Sequence, residues 1–460
     1  MNDSILRFPP GFLWGAGTSA HQVEGGNRWN DWWRFEHQPG AICGGDVSGE
    51  ACRHYDLFDS DFALARADGH NAHRLSIEWS RIEPERGRFE AAAVAHYHDV
   101  FASLKRHALT PVATLHHFTL PLWVADHGGW ESPETIDAFC AFARFCAREY
   151  GGEVDWWCTV NEPEVYAFRS YSEGLWPPRK RDDSAALCVI ANLLEAHGRA
   201  YRIVHAEDTA DADGDGRAAI VGFAKHMVQL EPARWWLPLD ALRAQVEDRV
   251  FNAAVSRAAV SGDIALSIPG VRGVRRHVPE LEGALDYFGL NYYTRWQVKA
   301  TGPEAHVARA GSPANDLGWE VWPDGLGLAV ARADAVGRAV ACARLPAGAT
   351  NSASQGPGGV PVLVTEHGFA DSRDAFRPQA LIDSLVALGR TIERGANVCG
   401  YLHWSMLDNF EWVEGYRGRF GLYAVDFTDP ARPRRRLRSA EAFARIAKAN
   451  AIELATASEG

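Results

Sequence analysis

The sequence predicts an α/β fold built as a (β/α)8 TIM barrel, with the candidate active site at the C-terminal ends of the strands. Two observations predict it. Eight short runs rich in β-branched and aromatic residues recur along the 460-residue chain, and helix-period segments separate them. Strands that alternate with helices pair in parallel, and eight such units favour a closed barrel over an open sheet.

The first run, FLWGAGTSA (12–20), is followed by Gln22 and a long loop. AHRLSIEW (72–79) sets Arg74 among apolar residues, and TPVATLHH (110–117) ends on His116 and His117. The segment 132–151 reads as a helix: Ser132 as N-cap, Pro133 at the first position, Gly151 past the end, and Ile136, Phe139, Phe142, Ala143 and Cys146 on one face. DWWCTVNE (155–162) ends on Asn161 and Glu162, and a second helix is expected behind Ser184. AAIVGFAKH (218–226) and DYFGLNYY (286–293) follow, the latter carrying Asn291 and Tyr293, with irregular chain after it. PVLVTEHG (361–368) carries Glu366, and VCGYLHWS (398–405) carries Trp404. One catalytic domain over 1–460 is expected, with a flexible Gly/Ala/Ser/Pro-rich loop at 346–359 and a tail frayed from about residue 450.

Composition narrows the function. Apolar residues make up 47% and charged ones 23%, which suits a large core and argues against wholesale disorder. A net charge of −12 disfavours a nucleic-acid surface, and the basic run Arg432–Arg438 reads as a solvated turn or salt-bridge patch. The N-terminus shows neither a basic region nor the apolar core of about 7–15 residues that a secretory signal needs. No stretch reaches the roughly 20 apolar residues of a membrane helix, so a cytoplasmic protein with no membrane insertion is expected. The cysteines are scattered without a C-x-x-C pair and read as buried thiols, and His96 with His98 lacks a third ligand. No metal and no cofactor are expected.

Core strands do not ordinarily end in Gln, Arg, His, Asn and Glu, because buried polar groups are costly without partners. Glu162 and Glu366 lie on the fourth and seventh runs, so both can face one cavity. Two carboxyls fit cleavage of a glycosidic bond, where one protonates the leaving oxygen and the other acts at the anomeric carbon. Trp322, Trp404, Trp412 and Phe420 are candidate stacking surfaces for a sugar ring. Asn161 and Glu162 are adjacent and cannot both face inward on a regular strand, so a bulge is expected there. By the same alternation His367 turns away when Glu366 faces the cavity.

These motifs resemble glycoside hydrolase family 1. FLWGAGTSAHQVEGG (12–26) is similar to its N-terminal signature, CTVNEP (158–163) to its acid/base motif, VTEHG (364–368) to its nucleophile motif and WSMLDNFEWVEGYRGRFGL (404–422) to its sugar-binding loop. RLSIEWSRIEP (74–84) and FGLNYYT (288–294) match as well, and the resemblance runs from about residue 8 to 448. It implies a retaining exo-β-glycosidase acting on terminal β-D-glucosides, with β-galactosides or β-fucosides also accepted and a small-molecule glycoside as its substrate. Glu162 would be the acid/base and Glu366 the nucleophile. Asn161 would bond the sugar 2-hydroxyl, Gln22, His117, Glu411 and Trp412 the other hydroxyls, and Trp404 and Phe420 would pack on the ring. Tyr293, Arg74 and Asn291 would support the nucleophile, with Arg74 holding Glu366 ionised and Glu162 kept protonated by a raised pKa.

Two departures stand out: His117-Phe118 where the family commonly has His-Trp, and Glu366-His367-Gly368 where it commonly has Glu-Asn-Gly. Phosphoglycosidase activity is disfavoured because Glu411 and Glu414 would repel a phosphate. Thioglucosidases of the family lack the glutamate that Glu162 supplies. The segments 123–139 and 321–326 resemble glycolipid galactosyltransferases of the family, which makes sugar transfer the main rival. A non-catalytic sugar-binding protein is the third reading, weakened by the presence of both carboxyls.

Overall fold

The computed structural model describes residues 5–302, 304–344 and 359–454. Eight parallel strands close a barrel in sequence order: β1 (Leu13–Gly17), β2 (Ala72–Ser76), β3 (Thr110–His116), β4 (Trp156–Asn161), β5 (Ile220–His226), β6 (Phe288–Tyr292), β7 (Val362–His367) and β8 (Val398–Trp404). All eight predicted runs contain one of them. Each strand is followed by at least one helix that packs outside, from His54–Ala67 after β1 to Arg438–Ala449 after β8. A lumen cluster of Ala72, Val112, Ile220, Tyr287, Leu363 and Leu402 fills the barrel, so it is a packed core and not a pore.

The glycines of the strands are explained by contact. A Cβ on Gly15 would stand 2.1 Å from the carbonyl oxygen of Ala72, and one on Gly289 would stand 2.6 Å from that of Phe223. Only a bare Cα lets adjacent backbones meet there.

Both expected helix starts move by one or two residues. The first helix spans Glu134–Tyr150 with Pro133 at its cap, and Ser132 contributes its backbone carbonyl to Thr135 N–H, not its side chain. Gly151 keeps a right-handed conformation, and it is glycine because a Cβ would meet Asp208 Oδ1 at 2.4 Å. In the second helix, Asp183–Glu207, the cap is Asp182, whose carboxylate accepts from the N–H groups of Ser184 and Ala185. Asp reaches the unpaired amides of the first turn at least as well as Ser.

The chain after β5 and β6 forms a small sheet of Gln229–Pro232, Arg295–Val298 and His306–Val307. The tail is ordered further than expected: Ala451–Glu453 pairs antiparallel with Ile5–Arg7, burying Leu6 and Ile452. The predicted loop at 346–359 lies, except for Gly359, outside the described residues, as do 455–460. No helix among the described residues is long and apolar enough to cross a membrane. The basic run is a salt-bridge patch, with Arg434 on Asp61 and Arg436 on Asp68.

Candidate active site

Irregularities in three strands aim the two carboxyls. The β4–β5 register shifts between Cys158 and Asn161, and Glu162 follows in the left-handed region with φ 45°. The expected bulge is therefore joined by a left-handed residue, a conformation costly for a non-glycine and kept only where the surroundings impose it. Further shifts fall between Leu290 and Asn291 on β6 and between Val364 and His367 on β7. Each lies beside Asn291 or Glu366.

One hydrogen-bond network then joins β2, β3, β4, β6 and β7. Arg74, wholly buried, donates to Glu366 Oε1 and Asn161 Oδ1 and, through Nε, to Thr114 Oγ1. Tyr293 Oη donates to Glu366 Oε2 at 2.5 Å, so both oxygens of Glu366 accept from a donor. Asn291 Nδ2 donates to Glu162 Oε1 at 2.8 Å and to Asn161 Oδ1 at 3.2 Å, and its own carbonyl accepts from Thr365 Oγ1. The rotamers of Arg74, Asn161, Glu162, Asn291, Tyr293 and Glu366 are thus tied to one another.

Around this network lies an aromatic and polar wall. His117 is flanked by Trp404 and Trp412, both rings within 19° of parallel. Its Nε2 lies 3.4 Å from Asn161 Nδ2, and its Nδ1 is buried without a hydrogen-bond partner among the described residues. Trp404, Phe420 and Tyr293 form an apolar cluster with Leu317 and Trp319. Gln22 is wholly buried, and its amide N–H groups donate to Phe410 O, Asn409 Oδ1 and, at 3.4 Å, Glu411 Oε2. Phe118 packs against Trp412 and Trp176.

The electrostatics differ from the sequence expectation. Burial raises the pKa of Glu366 above the usual carboxyl value; Arg74 and Tyr293 oppose the rise and the charge of Glu162 adds to it. Burial also pushes Glu162 upward, but His226 and Asn291 together hold it below its usual value. The sequence reading weighed Arg74 and missed both the depth of burial and His226, whose Nδ1 stands 3.3 Å from Glu162 Oε1. The two carboxyls titrate as an interacting pair, so their protons belong to the pair. Glu411 is pushed up to about 8 by burial and by the charge of Glu366, which keeps its carboxyl protonated near neutral pH.

The structure brings Gln22, Arg74, His117, Asn161, Glu162, Asn291, Tyr293, Glu366, Trp404, Glu411, Trp412 and Phe420 to one end of the barrel. It leaves others out. His116 accepts from Trp130 Nε1 and is pushed down to about 3 by burial. Trp322 lies beneath the guanidinium of Arg295, and Trp319 takes the place beside Tyr293 and Phe420 that the sequence offered to Trp322. His367 points away from Glu366, meets Tyr401 Oη at 2.8 Å and is held neutral by burial, its pKa near 3. His98 is engaged by Glu149 and Glu153, and His96 stacks on Tyr55. The residues that sequence reasoning missed are His226, Lys225, Glu164 and Trp319. A signal existed for the first two, since Lys225-His226 ends a strand run in the same polar way as the others.

Residues 5–452 match the model of the family described as glycosyl hydrolase family 1. The chain belongs to that family. It is a β-glycosidase of family 1, and its barrel is the one its relatives share. It is 30% identical to a beta-galactosidase of Pyrococcus woesei, across 91% of this chain and 93% of that one. It is also 30% identical to the cytosolic beta-glucosidase of Homo sapiens, across 97% and 99%. A solved beta-glycosidase from Pyrococcus horikoshii superposes with a TM-score of 0.83 at 34% identity, covering 97% of this chain and 96% of that one. The beta-glucosidase of Thermotoga maritima in complex with castanospermine superposes with a TM-score of 0.83 at 27% identity, covering 97% and 99%.

Proposed function

We propose that this family 1 enzyme hydrolyses terminal non-reducing β-D-glucosides, and β-galactosides and β-fucosides as well, by double displacement with Glu366 as nucleophile and Glu162 as acid/base. The observation that carries the reading is the different treatment of the two carboxyls. Both oxygens of Glu366 are met by donors, Arg74 and Tyr293, which favour the ionised form that attacks. The groups beside Glu162, Asn291 and His226, converge on Oε1 and leave Oε2 as the oxygen that exchanges a proton with substrate and water.

In the first step a Glu366 oxygen bonds to the anomeric carbon while the glycosidic oxygen leaves with the proton of Glu162 Oε2. Esterification removes the charge of Glu366, so Glu162 then serves as base. It takes a proton from water as the water oxygen bonds to the anomeric carbon and the ester breaks. Asn161, fixed by Arg74 and Asn291, presents its amide toward the 2-hydroxyl. His117 Nδ1, buried without a partner among the described residues, and the protonated Glu411 supply further polar contacts. Gln22 exchanges its contact with Glu411 for a hydroxyl, and Trp404 and Phe420 carry the apolar face of the ring. Relatives named for glucose and for galactose support tolerance at the 4-position.

A panel of aryl β-glycosides, with the product anomer followed by NMR, tests the reading. Initial release of the β-anomer and a loss of about 10⁴-fold or more in kcat for Glu366→Ala are expected. Initial α-anomer, or unchanged turnover in that variant, would rule it out. Predominant oligosaccharide product at low acceptor concentration would favour sugar transfer.

A further inference from the structure

His226 closes β5 and has no part in the network that aims Glu366. Its Nδ1 lies 3.3 Å from Glu162 Oε1, the same oxygen that Asn291 holds at 2.8 Å, and its side chain is 16% exposed, against 7% for Glu162. We infer that His226 is a positioning residue for the acid/base. With Asn291 it pins Oε1 so that Oε2 faces the scissile bond, and its Nδ1 beside Oε1 stabilises the Glu162 carboxylate that the second step needs. The inference rests on Glu162 being the acid/base.

The surroundings single out His226 as the group able to do this. Its ring meets Tyr293 from the end of β6 at 5.7 Å and Phe251 at 5.7 Å, one hydroxyl-bearing and one apolar. Tyr293 is committed to Glu366. Lys225, next in the chain, is a second cation near Glu162, but it is wholly buried, donates to Glu164 Oε1 at 2.7 Å and bonds the carbonyl of His226 at 2.6 Å. Its charge is offset by Glu164, and Arg332 acts on this pair from further off. Arg74 reaches Glu162 only across Asn161 and is committed to Glu366. His226 is therefore partly connected to solvent, with Glu162 as its one carboxylate partner among the described residues.

No proton leaves His226 during turnover. In the first step the Oε2–H bond breaks and its proton goes to the glycosidic oxygen. In the second, a water O–H bond breaks and that proton returns to Oε2. His226 Nδ1 stays beside Oε1 throughout and favours the ionised form of Glu162. Removing it should make Glu162 harder to ionise in both states of the enzyme.

The test compares His226→Gln and His226→Phe with the unsubstituted enzyme. It records kcat/KM against pH for an aryl β-glucoside with a poor leaving group, and kcat against pH for a dinitrophenyl β-glucoside, where deglycosylation limits. The alkaline limb of the first and the acidic limb of the second should both move to higher pH, by about half a unit or more. His226→Gln should keep KM within about twofold while still moving the limbs, because an amide restores the position of the side chain but not the imidazole's stabilisation of the carboxylate. Limbs that stay in place, or move down, overturn the inference, and so does a uniform fall in rate at all pH values. If His226→Phe does not fold, His226→Gln decides alone. Glu162→Gln is the control for the underlying reading: hydrolysis of the poor-leaving-group substrate at the unsubstituted rate overturns the acid/base assignment. A loss of about a hundredfold or more there, with unmoved limbs in the His226 variants, overturns only the inference about His226.

Discussion

Tyr293 and Asp31 show how single side chains in this enzyme convert burial into pH dependence. Tyr293 Oη donates to Glu366 Oε2, and that bond opposes the rise in pKa that burial imposes on Glu366. Tyr293→Phe should therefore move the acidic limb of kcat/KM to higher pH and lower its plateau by about 10–100-fold, as a pH–rate profile on an aryl β-glucoside would read. Asp31 lies outside the network around Glu366, accepts from Leu120 N–H, and burial raises its carboxyl from 3.8 to about 7. Between those values the folded chain binds more protons at Asp31 than the unfolded chain does, so this residue's contribution to stability falls as pH rises through the window. Above about pH 7 the loss is complete. Asp31→Asn keeps the acceptor and removes the ionisation, so it should be neutral near pH 4 and stabilising by roughly 2–4 kcal/mol at pH 8, as urea unfolding at both pH values would measure.

Among elements, the turn from β4 into the helix Pro163–Ala167 bears most directly on function. Glu162 sits there in a left-handed conformation, and the next acidic residue, Glu164, is wholly buried with Lys225 of β5 as its partner. A buried pair adds little net stability by itself, but breaking it leaves one charge stranded. Lys225→Met should cost about 3–5 kcal/mol in unfolding, whereas the double variant Lys225→Met with Glu164→Leu should recover much of that. The element scale also shows where legibility stopped. The apolar run Val362, Leu363 and Val364 leading into polar residues made β7 readable, and the adjacency of Asn161 and Glu162 announced a bulge. The left-handed φ of Glu162 and the register shift beside Asn291 did not announce themselves, because both are imposed by neighbouring strands and not by local residue preference.

Over the whole molecule, the first and last described strands are joined at the N-terminal end of the barrel, away from the strand ends that carry Glu162 and Glu366. Ile5–Arg7 pairs with Ala451–Glu453, and Asn450 bonds Phe8, Pro9 and Trp14 through its side chain. Ending the chain after Asn450 removes Ile452 and exposes Leu6. The expected result is a Tm lower by about 2–5 °C in calorimetry with kcat/KM unchanged within about twofold. Loss of activity at equal folded fraction would contradict the separation of the two ends.

The barrel and its eight strands were determined by the sequence alone, and so was the choice of Glu162 and Glu366 as the carboxyls of the candidate site. Periodicity is a local property, and a charged residue at the end of an apolar run marks a place where burial needs a use. The resemblance to a family added roles to residues that the pattern had already isolated. Only the tertiary structure decided that Trp319 and not Trp322 flanks Tyr293, and that Gln22 spends its amide on the 409–411 loop. Only the tertiary structure brought His226 to Glu162. Those contacts join residues dozens to hundreds of positions apart, and depth of burial, which moved Glu366 up and Glu411 to about 8, is set by the whole surrounding shell. Neither is encoded in any short stretch of chain, so the site's members were legible before its electrostatics were.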